Sequence, residues 1–399
     1  MSDLSVARDI PDLLEKIRQI HPIIREHAAE SEAQRHVAQE TVDAMTAIGV
    51  FRTGVPKRFG GFGSDTREQI DVARVVAQAD GGTAWVTGLL NSGAYVVGWF
   101  PRQAQEEVFS TGPDTLVSIV LAPSSNATKV DGGYRVTGEW RYNSGSWHSQ
   151  WAILGAPLHD DSGAFEDNAI VLIPRTDLQY KDTWHVAGLK STASNSFVAE
   201  DVFVPEHRVL RVTPAIEGDY PGVDESSEAP YKAAFVPVLE AQLLGAHLGM
   251  GQAVLAAVRA DATKKGIAYT TYQRQSDSVP FQLALARAAL LLEAAELFTY
   301  NAAREIDGAT QAGTYLDYAT RARQRGQQAQ VVANVKDAID LLMTAHGSAG
   351  FAESNSLQRF WRDQAIAARH GLTLPDTGLE VYGRWLATGE NSNPATPFV

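Results

Sequence analysis

Residues Trp184 to Leu210 read WHVAGLKSTASNSFVAEDVFVPEHRVL. The second half, NSFVAEDVFV, is a β-branched and aromatic run closed by Pro205-Glu206-His207, the pattern of a strand that stops at a turn. Four runs upstream share this character: LVSIVLAP from Leu116, YRVTGEWRYN from Tyr134, QWAILGAPL from Gln150 and NAIVLIPR from Asn168. SSN, DGG and DDSG separate them, and such residues form turns. Residues 115–213 therefore read as a central β domain.

The flanks have a different period. In residues 1–114, Leu13, Leu14, Ile17, Ile20, Ile23 and Ile24 recur at spacings of three and four, which puts them on one helix face. The glycine-rich loop FRTGVPKRFGGFG (Phe51 to Gly63) follows, and a second helical stretch runs from about Thr66 to Trp99. In residues 214–399 a loop rich in Glu, Asp, Pro and Ser leads into VLEAQLLGAHLGMGQAVLAAV, FQLALARAALLLEAAELFTYNAARE and QQAQVVANVKDAIDLLMTAHG. These long helices are apolar around much of their circumference and suit a bundle that also meets other subunits. The fold class is α+β: helices, a β domain, then a helical bundle.

Composition narrows the function. The 399 residues carry a net charge of −13, which disfavours nucleic-acid binding through phosphate neutralisation. The chain has no cysteine, so disulfides and thiolate chemistry are excluded. MSDLSVARDIPDLLEKI lacks a basic segment followed by an apolar one, and no uninterrupted apolar run reaches the ~18 residues of a membrane span; a cytoplasmic protein without a membrane partner is expected. Hydrolase elbow, Walker loop, dinucleotide fingerprint and H-E-x-x-H pair are missing. His159-Asp160-Asp161 falls in a turn, and no metal site is expected.

Three segments resemble the acyl-CoA dehydrogenase superfamily: GEWRYNSGSWHSQWAILGA (Gly138 to Ala156), GLKSTASNSFVAEDVFVP (Gly188 to Pro205) and FWRDQAIAARHG (Phe360 to Gly371). VPKRFGGFG is similar to its V-P-x-x-x-G-G-x-G loop. The resemblance implies an N-terminal helical domain, a central β-barrel or sandwich and a C-terminal four-helix bundle. Acyl-CoA dehydrogenases commonly carry a catalytic Glu eight residues after the Asp of the third element. Here Arg369, His370 and Gly371 stand near that place, and no Glu lies between Asp363 and Glu380. A His there resembles the flavin-monooxygenase branch, which includes the oxygenase components of two-component p-hydroxyphenylacetate and 3-hydroxy-seco-androstenedione hydroxylases and dibenzothiophene monooxygenase. Ser144-Gly145…Trp151 and Trp184…Gly188-Leu189-Lys190…Thr192…Ser194 match that branch's segments as well.

The resemblance implies reduced flavin, FMNH2 or FADH2, with O2 as co-substrate and a C4a-hydroperoxide as the oxygenating species. It implies a separate NAD(P)H:flavin reductase and a homotetramer. Tyr142, Asn143 and Ser144 would lie on the flavin, with Ser144 at its N5 edge. Trp184, Lys190, Ser191, Thr192 and Ser194 would hold the rest, and Arg362-Asp363 reads as structural. His370, with an ordinary pKa near ~6.5, would act as base on a substrate hydroxyl or ring N–H. Asn91 and Tyr95, in LLNSGAYVVGWF, and Trp147 and His148 would shape the substrate pocket. The substrate expected is aromatic: phenolic, indolic or polycyclic. N-oxygenation of an amine or amino sugar, and acyl-CoA dehydrogenation, are the alternatives. Each residue also has a plainer reading, Ser144 as a strand-end hydroxyl and the tryptophans as core.

Overall fold

The computed structural model describes residues 5–399; Met1–Leu4, the start of the stretch read above for a leader, lie outside the described residues. The N-terminal part comprises α1 (Ile10–Gln34), α2 (Gln39–Ile48), α3 (Thr66–Ala77), α4 (Gly81–Val97) and α5 (Arg102–Val108). Aspartates start three of them: Asp9 accepts from Asp12 N, Asp65 forms a capping box with Glu68, and Asp80 accepts from Thr83 N. Each cap satisfies an amide that the helix itself leaves unpaired. All residues of α4 are buried, so it runs through the middle of the molecule.

Eight strands follow: β1 (Val117–Val120), β2 (Ser125–Val130), β3 (Gly133–Asn143), β4 (Trp151–His159), β5 (Phe165–Pro174), β6 (Gln179–Lys181), β7 (Asn195–Pro205) and β8 (Val209–Arg211). They join in one mixed sheet of order β6-β7-β3-β2-β4-β5-β8, with β1 parallel to β4. Alternation along β4 divides two cores. Ala152, Leu154, Ala156 and Leu158 face the sheet's own core with Trp140 and Phe197, while Ile153 joins the helical core.

The chain then enters α6 (Val212–Ile216), α7 (Phe235–Asp261), α8 (Val279–Gln311), α9 (Tyr318–His346), α10 (Ser356–Ala367) and α11 (Pro375–Thr388). Helices α7, α8, α9 and α11 pack as the bundle, and α10 lies against α7, α9 and α4. By length and composition α7 would suit a membrane span, but 72% of its apolar window is buried in the protein. It packs on α3 at Gly245 and Gly249, where a Cβ would collide with the carbonyls of Ile70 and Arg74.

Candidate active site

A cavity of about 910 Å³ opens where the sheet, α4, α7 and the end of α10 converge. Its sheet wall carries Tyr142, Ser144, Trp184, Leu189 and Ser194. Two features give this wall its shape. Tyr142 has φ 64° at the end of β3, and Gly145 has φ 76°, so the chain turns sharply around Ser144. Asn195 Oδ1 accepts from the amides of Thr183 and Trp184, and Trp184 Nε1 donates to Leu189 O at 2.8 Å, which ties the 184–195 loop to β7.

The hydroxyls form a chain with a fixed polarity. Thr192 Oγ1 donates to the Leu189 carbonyl at 2.8 Å. Ser194 Oγ lies 2.7 Å from Thr192 Oγ1, and Ser144 Oγ lies 2.7 Å from Ser194 Oγ. A carbonyl can only accept, so Thr192 donates to it, Ser194 donates to Thr192, and Ser144 donates to Ser194. Ser144 also spends its backbone N–H on Tyr142 O at 3.0 Å. What Ser144 offers the cavity is a lone pair.

His370 faces this wall from the end of α10. Its Nδ1 is buried and unpartnered, so Nε2 is the nitrogen that reaches the cavity. The ring opens on the cavity but is otherwise enclosed, and this burial lowers its pKa to about 4. At neutral pH it is an uncharged imidazole that can accept a hydrogen bond. Trp85 on α4 packs edge-on against it, with ring centroids 5.4 Å apart. The carboxylate on the cavity lining is Glu139, held by Lys181 at 2.9 Å. Among the described residues, no lining carboxylate stands beside His370 to serve as the base of a dehydrogenase.

The two walls are linked by the Arg362-Asp363 pair. Asp363 Oδ1 accepts from Leu189 N at 2.5 Å, and Arg362 Nη1 binds the Ala187 carbonyl and Glu32. Burial and the neighbouring Asp80 carboxylate raise the pKa of Asp363. The helix that leads to His370 thus grips the turn from which the hydroxyl chain begins.

Models described as the acyl-CoA dehydrogenase N-terminal and C-terminal domains match residues 17–110 and 243–375. The oxygenase subunit HsaA of a flavin-dependent monooxygenase from Rhodococcus jostii is 31% identical over 96% of this chain and 99% of its own length. The chain belongs to the flavin-dependent monooxygenase oxygenase components. The oxygenase component of p-hydroxyphenylacetate 3-hydroxylase from Acinetobacter baumannii is 29% identical over 94% of this chain and 88% of that one. XiaF from Streptomyces sp., solved in complex with FADH2 and glycerol, has the same fold with a TM-score of 0.91, at 34% identity over 97% of both chains.

In this oxygenase component several residues singled out from the sequence lie elsewhere. Asn91 and Tyr95 do not line the cavity: Asn91 Nδ2 donates to Val50 O at 3.0 Å, and Tyr95 bonds the Pro230 carbonyl and stacks on Tyr231. The cavity face of α4 is Trp85, Leu89 and Ser92, at i, i+4 and i+7. Trp147 stacks on His36 at 4.5 Å and is half exposed, while His148 Nε2 meets Val37 O at 3.0 Å. Both pin the α1–α2 junction to the β domain, outside the cavity. Lys190 pairs with Glu32 at 3.8 Å, and the buried Ser191 hydroxyl packs on Gly82. Thr192 acts behind the wall, through Ser194. Asn143 is buried with both amide atoms unpartnered and does not reach the cavity lining. Leu239, Leu243, Arg325, Leu372 and Phe398 form the bundle wall, and the sequence pattern gave no sign of them.

Proposed function

We propose that this oxygenase component hydroxylates an aromatic substrate, phenolic or indolic, using O2 and reduced flavin delivered by a separate NAD(P)H:flavin reductase. FADH2 is the form favoured by the likeness to XiaF. The observation that carries the reading is the polarity of the Thr192–Ser194–Ser144 chain, which presents an acceptor to the cavity opposite a neutral His370. The donor set fits reduced isoalloxazine, whose N5 bears a hydrogen to give. Ser144 would accept it, with Trp184 and Tyr142 flanking the ring system. When bound, the flavin supplies the activation of O2.

The rest is the work of the chain. His370 Nε2 accepts the hydrogen bond of the substrate hydroxyl or ring N–H, which raises electron density on the ring. Trp85, Leu89, Leu239 and Leu243 exclude water around it. Leu283, Leu290 and Leu297 recur every seven residues on α8 and are more than half exposed, which supports a homotetramer assembled through the bundle. A cytoplasmic setting, without nucleic acid or membrane, suits a chain that depends on NAD(P)H through its reductase.

Ser144→Ala tests the reading. The variant should bind reduced flavin more weakly and divert most O2 to H2O2, with product per O2 consumed falling by about tenfold, on the scale of one charge-free hydrogen bond. Unchanged coupling would remove Ser144 from the site.

A further inference from the structure

The bundle wall of the cavity holds one ionic group. Arg325, from α9, reaches the cavity wall although it is only 2% exposed. It is ion-paired with Glu240 of α7, which is 1% exposed. Arg325 Nη1 also donates to the carbonyl of Leu372, two residues beyond His370. The surrounding wall is apolar: Leu239, Leu243, Leu372 and Phe398.

An ion pair in such a place is expensive. Removing both charges from water opposes folding, and apolar residues of the same volume commonly serve stability as well or better. A neutral donor would hold the Leu372 carbonyl equally well. Glu240 Oε2 and Arg325 Nε are buried without a protein partner, so the pair is not held in place by saturated hydrogen bonding. Burial lowers Arg325 only to about 10, so it stays charged at neutral pH. Charge is therefore balanced at this point on the wall: Arg325 lines the cavity as a hydrogen-bond donor, and Glu240 neutralises it from behind the lining. Ligand cavities orient their ligands with a few such polar groups set in apolar walls.

We propose that Arg325, neutralised by Glu240, recognises an uncharged hydrogen-bond-accepting substituent, a carbonyl, hydroxyl or carboxamide, on the end of the aromatic substrate remote from the group held by His370. It disfavours a carboxylate there, because Glu240 already neutralises the guanidinium. Arg141 and Arg369 also line the cavity but are exposed at its mouth, where solvent and salt screen them. The inference rests on the aromatic-hydroxylase reading of the cavity.

Equilibrium binding to the anaerobic reduced-flavin complex, followed by tryptophan fluorescence, separates the cases with three probes of similar size. 4-Hydroxyphenylacetamide should bind about tenfold more tightly than either 4-hydroxyphenylacetate or 4-ethylphenol. Glu240→Gln keeps the shape and leaves Arg325 unneutralised, so the carboxylate should overtake the amide. Arg325→Met should abolish the advantage of the amide over 4-ethylphenol. Three probes binding alike to the native protein, or a carboxylate-to-amide ratio untouched by Glu240→Gln, would overturn the inference and leave the hydroxylase reading standing. If neither these phenols nor indole binds the native complex, both fall. Should Glu240→Gln not fold, the ranking on the native protein decides alone.

Discussion

At the scale of the residue, the proposed chemistry rests on two side chains: Ser144 as acceptor and His370 as neutral imidazole. His370, His148 and His247 are each lowered by burial to about 4. A His whose folded pKa lies below its ordinary 6.5 binds fewer protons folded than unfolded between those values. Stability is therefore complete above pH 6.5 and declines as pH falls towards about 4, by about 1.4 kcal/mol per pH unit for each His. The acid limb of kcat should likewise lie near 4 rather than 6.5, because His370 stays unprotonated until then. His370→Ala should lower kcat by about 10²–10⁴ and leave reduced-flavin affinity within about twofold. A kcat profile on stopped-flow product formation with its midpoint at 6.5 would contradict the enclosed imidazole. That Ser144, Trp184, Ser194 and His370 converge on one cavity was legible because each sits in a short contiguous motif. Arg325 was not, because Glu240 and Leu372 are far from it in sequence and only the fold joins them.

At the scale of the element, helix and strand periods were legible and facing was not. The order helices, sheet, bundle follows from a switch between periods of 3.6 and 2, which the side chains themselves enforce. Asn91 and Tyr95 were assigned to the pocket and turn away from it because α4 is buried all round, so no polar stripe marks its faces. Trp85, Leu89 and Ser92 could have been found by stepping i, i+4, i+7 from Trp85, which ends the run GGTAW (Gly81 to Trp85). The approach of α3 to α7 was equally hidden, though Gly245 and Gly249 stand four apart, the spacing of one helix face. Gly249→Val would push against the Arg74 carbonyl and Ala77 Cβ and force these helices apart. We expect a loss of about 1–3 kcal/mol in urea unfolding, typical of overpacking. A variant as stable as the parent would mean that the helices can separate freely.

At the scale of the whole molecule, the site belongs to the junction of all three parts. The sheet provides the acceptor wall, α4 the aromatic floor, the segment after α10 the histidine, α7 the leucines and α9 the buried Arg325. Its outer bundle face remains apolar at Leu283, Leu290 and Leu297. Leu290→Glu should break the proposed tetramer into smaller species in sedimentation velocity, and a monomeric parent protein would dismiss that assembly. The most direct measurement is made on the native chain: mix it anaerobically with FADH2, add O2 and record absorbance in a stopped-flow instrument. A transient species that persists before oxidised flavin appears, and that shortens in Ser144→Ala, is the expected result. Reoxidation at the rate of free FADH2, with no transient and no effect of Ser144, would contradict an oxygenase site built around Ser144.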